Sequence, residues 1–534
     1  MVRVLRSVSV LVVCLAAGCG PTPGETSDTA GSSGDTSTSE GTTGTTGVEP
    51  TTTTSSTTEV VPTTGPTTSE VPMTTGTTGL PADCVEGDVE ITQMDTEAAI
   101  AALAGVECIT GSLVFEEVDR ADMQGLESLR QIGEELVVRD STFVSFAGLE
   151  NLERVRGLTL RSDPKLVDIE ALAELELAGG GLSLRELPLT SLPAFQFNQV
   201  ESVSIRDTAL SSLAGLDALA STSSSLSIES NDQLTALAGL DNLISVGHSV
   251  HVRGNPNLVD LAGLGALEEV AGEFELFDNP ALPSLPALAL SSIGGDLQIV
   301  DNDALVDLAG LDALTTIGAA LEIRDNPALV AVNGLHAVES VSSVRVTRND
   351  ALAELDGLEA LVSTGDLLIQ ENPSLTAVTG FGSLTKVDKL WVFTSPELTT
   401  LSGLAHVETA TEVLLWELGL TDLSGLASLT TSAILRISDN LQLASLDGLE
   451  QLANATEVKI ERNPALTSVM AIQFGAGGAL EATELLWIGQ NAALPTCAAR
   501  AVPDFQLETG LFCISDNKVD ACADDPDLCD LPMP

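Results

Sequence analysis

Residues 297–335 read LQIVDNDALVDLAGLDALTTIGAALEIRDNPALVAVNGL, and the second half restates the first. Leu297-Gln298-Ile299 returns as Leu321-Glu322-Ile323, Asn302 as Asn326, and Gly310-Leu311 as Gly334-Leu335. A phrase of 24 residues is too short to bury its own apolar edge, and becomes stable only when neighbouring copies stack on it. Working outward, an apolar triplet recurs every 22–24 residues with rare exceptions, opening at Leu113, Leu136, Leu158, Leu182, Val203, Leu226, Val250, Phe274, Leu297, Leu321, Val344, Leu367, Leu390, Val413, Leu435, Val458 and Leu486. We number these about seventeen copies rungs 1 to 17. Alternation within a strand predicts the first and third residues of each triplet inside and the middle one outside. Three residues past most triplets stands Asn, from Asn231 and Asn255 through Asn302, Asn326 and Asn349 to Asn463 and Asn491. A turn at the same corner of every coil would stack these amides into a ladder that satisfies buried backbone groups.

The Leu/Asn phrasing looks like the short leucine-rich repeats of bacterial surface proteins. A second turn signal precedes the triplet in "VAGEFEL", "SVGHSVHV", "TIGAALEI" and "STGDLLI". With it, the pattern resembles more closely the receptor L-domain, over roughly residues 84–517. That resemblance implies a mainly β fold: a long right-handed parallel β-solenoid with little helix. It also implies ligand recognition, the work of such domains on receptor ectodomains. The array here is much longer than a single L-domain, so no particular ligand is inherited.

Composition narrows the partners. The 534 residues carry 77 Asp+Glu against 22 Lys+Arg, a formal charge of −55, and so acidic a surface repels nucleic acid. Aromatics make only 3% of the chain, with no Tyr, so the core is expected to be thin and aliphatic. Arg3 and Arg6 precede the apolar run "SVSVLVVCLAA", too short to span a bilayer comfortably. It ends in "LAAGC", which resembles the lipobox of bacterial lipoproteins. The resemblance implies a signal peptide over 1–18 and a lipid on Cys19, and with Gly20 next it leans towards the outer membrane or cell surface. Residues 19–82, rich in Thr, Ser, Gly and Pro, lack apolar periodicity and read as a disordered tether spanning about 40–50 Å. An N-terminal cap over 83–112, the solenoid over 113–493 and a Cys-containing C-terminal cap and tail over 494–534 complete the division. Cys84 and Cys108 before the repeats, and Cys497, Cys513, Cys522 and Cys529 after them, read as disulfides at the two ends of an exported protein. Sequence distance favours a Cys84–Cys108 pair.

Outward positions are where function can reside. In rungs 12–14 the middle column reads Leu368, Trp391 and Leu414, and the column just past the triplet reads Gln370, Phe393 and Trp416. Stacked strands lie about 4.8 Å apart, so Leu368, Trp391, Phe393, Leu414 and Trp416 are expected to form one ligand-binding apolar patch unless the register slips near 417. Arg139, Arg161, Arg185 and Arg206 share a column on four successive rungs. Either flanking acids such as Asp140, Glu186 and Asp207 neutralise them, or they await an anionic ligand. His248 and His251 stand close together in "HSVH", but no third metal ligand is evident and no metal site is read there. The tail acids Asp520, Asp524, Asp525 and Asp527 lack the ordered spacing of a calcium loop. Acids beside Gly-Leu, such as Glu127, Glu150, Asp217 and Asp241, recur with the period, which suits a solvated corner better than an acid/base pair. No phosphate loop, nucleophile elbow or zinc-protease helix is present. The expectation is a non-enzymatic recognition or adhesion protein without cofactor, meeting a protein or glycan ligand at the cell surface and the membrane only through its lipid. The rivals are a structural envelope spacer and, less favoured, a β-helical polysaccharide-processing enzyme.

Overall fold

All seventeen triplets lie in β-strands of one long parallel sheet in the computed structural model, which describes residues 84–472, 481–495, 511–515 and 517. The alternation behaves as expected: Leu297 and Ile299 are fully buried and Gln298 between them is half-exposed, and from Leu113-Val114-Phe115 to Leu486-Trp487-Ile488 the middle residue is half-buried or exposed in every rung except rung 8, where Glu275 is buried. Pairing is in register from each rung to the next, as in Leu297↔Leu321 and Ile299↔Ile323. The sheet also continues beyond the triplets. Val89–Thr92 pairs with rung 1 and Leu511–Ser515 pairs with rung 17, which makes nineteen strands among the described residues.

A second row of two-residue strands forms shorter parallel sheets. One runs from Cys84–Val85 to Glu176–Leu177, another from Gln199–Val200 to Thr316–Ile317. Between this row and the long sheet the chain turns, as the glycine signals anticipate. The coils approach so closely there that a Cβ on Gly318 would stand 2.1 Å from the Gly294 carbonyl oxygen. One reading needs correction. "STGDLLI" contains no turn, because Ser363–Gln370 is a single strand running through Gly365. Only Gly365-Asp366 separates the buried Thr364 from Leu367, against Gly318-Ala319-Ala320 in rung 10, so the chain lacks the residue that makes the turn. In rungs 13–16 this turn glycine is absent altogether, and the strands lengthen to Lys386–Ser395, Thr409–Leu418, Thr431–Ser438 and Asn454–Glu461.

The asparagine ladder is present, and every Asn in it from Asn231 to Asn491 is buried. Asn302 shows the pattern. Its Oδ1 accepts the Asn279 N–H at 3.2 Å, and its Nδ2 donates to the Leu276 carbonyl at 3.0 Å. Its own N–H donates to Asn326 Oδ1 at 3.1 Å, which passes the pattern to the next coil. Each amide thus pairs backbone groups that would otherwise cost about 1–3 kcal/mol buried and unpaired. The residue before each ladder position has a left-handed backbone, with φ between 51° and 61° in every rung from Glu117 to Gln490. Only rung 7 spends a glycine there, Gly254. Nothing in the residue types, which include Arg348 and Thr394, announced so strict a requirement.

The interior is a column of Leu, Val and Ile with few rings, among them Phe115, Phe143 and Phe146 packed edge to face near the N-terminus. Helix is confined, among the described residues, to single 3-10 turns such as Ala309–Leu311 and to Thr96–Ala102, whose Ile100 joins the core over the first coil. Cys84 and Cys108 form a disulfide between the first two short strands, 4.6 Å apart at Cα. Cys513 falls in the strand Leu511–Ser515. Cys19, Cys497, Cys522, Cys529, the signal segment, the tether and the tail acids lie outside the described residues.

Candidate functional site

The broad strands of rungs 12–14 carry the aromatic patch. Register places Leu368 beside Trp391 and Trp391 beside Leu414; in the next outward column Gln370 neighbours Phe393 and Phe393 neighbours Trp416. No slip occurs near 417, since Phe393↔Trp416 and Ser395↔Leu418 keep the pairing. The Phe393 and Trp416 rings lie 6.3 Å apart and tilted by 33°. Trp416 is 42% exposed, and Leu368, Trp391, Phe393 and Leu414 are half-buried. All five side chains predicted to converge therefore share one face.

The rim is charged. Lys389 Nζ sits 5.3 Å from the centre of the Trp391 ring and pairs with Asp366 at 2.9 Å, a bond that raises its pKa. Arg345 and Arg436 bound the middle column on either side, held by Glu322 at 3.6 Å and Glu457 at 2.8 Å. An apolar centre with a paired polar rim is the anatomy of a protein contact surface. Two features within it remain unrelieved. The indole N–H of Trp391 is enclosed and has no acceptor. Thr394, next to Phe393, holds φ at 54°, which a β-branched side chain adopts only under strain. Trp487 stands apart, since Arg436 and Lys459 occupy the middle column between Leu414 and it.

The arginine column is also real, with Arg139↔Arg161, Arg161↔Arg185 and Arg185↔Arg206 in register. Each guanidinium has its own carboxylate. Arg139 meets Glu116 at 2.9 Å, Arg161 meets Asp140 at 3.6 Å, Arg185 meets Glu186 at 3.1 Å and Arg206 meets Asp207 at 3.0 Å. Each guanidinium of the column thus lies beside a carboxylate. The recurring acids at Gly-Leu corners have a structural duty: Glu150, Asp217, Asp241 and Glu450 each accept the N–H of the glycine two residues earlier.

Sequence reading missed one convergence. His251 faces Glu275 across the rung 7–rung 8 register, and Glu273 lies 2.5 Å from His251 Nε2. The coil period was the available signal, because it sets Glu275 beside His251 although 24 residues separate them.

No family model and no curated protein matches the chain. Among solved structures, a leucine-rich-repeat protein of Leptospira interrogans is similar over 63% of this chain and 85% of its own, at 13% identity and a TM-score of 0.33. An internalin from Listeria monocytogenes is 14% identical over 80% of this chain and 85% of its own, with a TM-score of 0.22. A TLR13–ssRNA13 complex is 14% identical over 78% of this chain and 68% of its own, with a TM-score of 0.24. The chain is similar to these leucine-rich-repeat proteins, and its own ladder of paired strands makes it a parallel β-solenoid.

Proposed function

We propose that the protein is a non-enzymatic, lipid-anchored recognition protein of the cell envelope, which holds its solenoid clear of the membrane and binds a ligand on the aromatic face of rungs 12–14. The observation that carries this reading is the grouping of Leu368, Trp391, Phe393, Leu414 and Trp416 inside a paired charged rim. A rimmed apolar patch is seldom left open to water without a partner, and Trp is the residue most favoured at contact hot spots. Of the two ligand classes, protein and glycan, a protein fits better. Sugars stack on rings, but Leu368 and Leu414 offer only aliphatic surface, which suits another protein's apolar side chains. The anchor at Cys19 and the surface location rest on the N-terminal sequence.

The test places a photo-reactive side chain at Trp416 or, as a control, at Arg185, and irradiates intact cells. A discrete protein adduct from position 416 alone, lost in the Phe393→Ala background, is expected. Equal labelling from both positions, or adducts indifferent to Phe393→Ala, sinks the reading. A glycan array probed with the wild type and Trp416→Ala separates the alternative: binding there that disappears with Trp416 makes the ligand a sugar.

A further inference from the structure

We infer that rungs 7 and 8 carry a binding site for a divalent transition-metal ion, formed by His251, Glu273 and Glu275. This goes beyond the recognition reading and is independent of it, since the residues lie four rungs and more from the aromatic patch.

The ligand set comes from the stacking of coils. His251 is the middle residue of the triplet Val250-His251-Val252, and Glu275 is its neighbour in the next rung. Glu273 immediately precedes that second triplet and turns back to His251 Nε2 at 2.5 Å. One nitrogen and two carboxylate oxygens, one from each residue, lie within 4.8 Å of one another. Around Zn2+, with bonds of about 2.0–2.1 Å, tetrahedral ligands stand about 3.3 Å apart. Rotation of the two flexible Glu side chains covers the difference. Imidazole with carboxylates suits zinc and its first-row neighbours better than calcium or magnesium, which take oxygen alone.

Three further observations set this place apart from the other rungs. First, Glu275 is 8% exposed, whereas the other middle-column residues are half-buried or exposed, so here a carboxylate has been taken out of water. Second, one arginine is shared between two acids: Arg253 contacts Glu275 closely and lies 3.8 Å from Glu273, which also meets His251. Third, there is room. A cavity of about 340 Å3 opens beside His251 and Glu273, walled by the small residues Ser225, Ser249, Gly295 and Ala319 and by Asp296. Three protein ligands and an open fourth position are the layout of a site that keeps a water or accepts a donor from a partner.

Arg253 is the built-in competitor. Its guanidinium engages Oε2 of Glu275, so a bound cation must share that carboxylate or displace the arginine. His248 also lines the cavity, but its Nδ1 is held by Ser249 Oγ at 2.8 Å, outside the three-residue cluster.

The experiment titrates Zn2+ alone into the chelator-stripped full chain by calorimetry, with thermal melts confirming that each variant is folded. One equivalent bound in the micromolar range or tighter is expected. His251→Ala and Glu273→Gln should each weaken it at least tenfold, Arg253→Gln should tighten it, and His248→Ala should leave it unchanged. The inference is overturned if the wild type takes up no Zn2+ below 1 mM. It is equally overturned if His251→Ala and Glu273→Gln bind as the wild type does, or if His248→Ala alone abolishes binding.

Discussion

Position 163 is where the ladder departs from its own rule. The column holds Asn in most rungs, yet in rung 3 it holds Asp163, fully buried. Its Oδ1 accepts the Ser141 N–H at 2.6 Å, as an asparagine oxygen would, but its Oδ2 has no partner. At that place an asparagine donates to the carbonyl of the preceding rung, which a carboxylate can do only when protonated. Burial pushes the Asp163 carboxyl up from 3.8 to about 6, against the Ser141 hydrogen bond and with Asp140 adding repulsion. The folded pKa lies above the unfolded one, so the stability Asp163 contributes is complete below about pH 3.8 and is lost as pH rises through about 6. A shift of that size corresponds to about 2–3 kcal/mol. Asp163→Asn should therefore slow amide exchange in rungs 2–4 relative to the wild type at pH 8 and change it little at pH 4. Wild type and variant showing the same difference at pH 4 and pH 8 would contradict this account.

At the scale of the coil, stacking distance is the governing constraint. The Gly-Leu corner brings the backbone against the carbonyls of the coil before it. Gly239 has φ +111°, and a Cβ there would meet the Leu213 oxygen at 2.1 Å. Gly239→Ala is expected to cost about 2–4 kcal/mol, from forced separation of the coils together with the left-handed backbone penalty. Gly382→Ala is the matched control: a Cβ meets nothing within 4 Å, and its effect should stay within about 0.5 kcal/mol. Denaturant melts of the two variants measure the contrast, and similar midpoints would refute the close-approach argument. A different glycine, the one before the triplet, decides how broad the sheet is. Where it is missing, in rungs 13–16, strand and linker merge and the sheet widens ahead of the columns that hold Trp391 and Trp416.

Over the whole molecule, each coil touches only its neighbours, so stability is a sum of coil and interface contributions. Removing residues 297–320, one full 24-residue coil, joins Asp296 to Leu321 and leaves Phe274 facing Leu321 in place of Leu297. Asn326 can then receive the Asn279 N–H that Asn302 received. The shortened protein should retain its β-type circular dichroism and unfold cooperatively within a few degrees of the parent. Deletion of half a coil, 297–308, should abolish the fold, because it turns the next buried triplet out of register. A half-coil deletion as stable as the full one would show that stacking register is not what holds the chain together.

The repeat in the sequence determined the architecture, the inward and outward positions of the triplets and the asparagine ladder, because each follows from a period that can be counted; the first disulfide was legible from the short distance between Cys84 and Cys108. It also determined which residues form the aromatic patch, since a shared column position is a shared place on the sheet. What only the tertiary structure decided is how charges settle between coils. Whether Arg139 finds Glu116, whether Asp163 keeps its proton, and whether Glu273 folds back onto His251 depend on side-chain reach across a gap of about 4.8 Å. Local energies of this kind have no periodic signature. They come from the particular neighbours that stacking creates, and those neighbours lie a full coil apart in the chain.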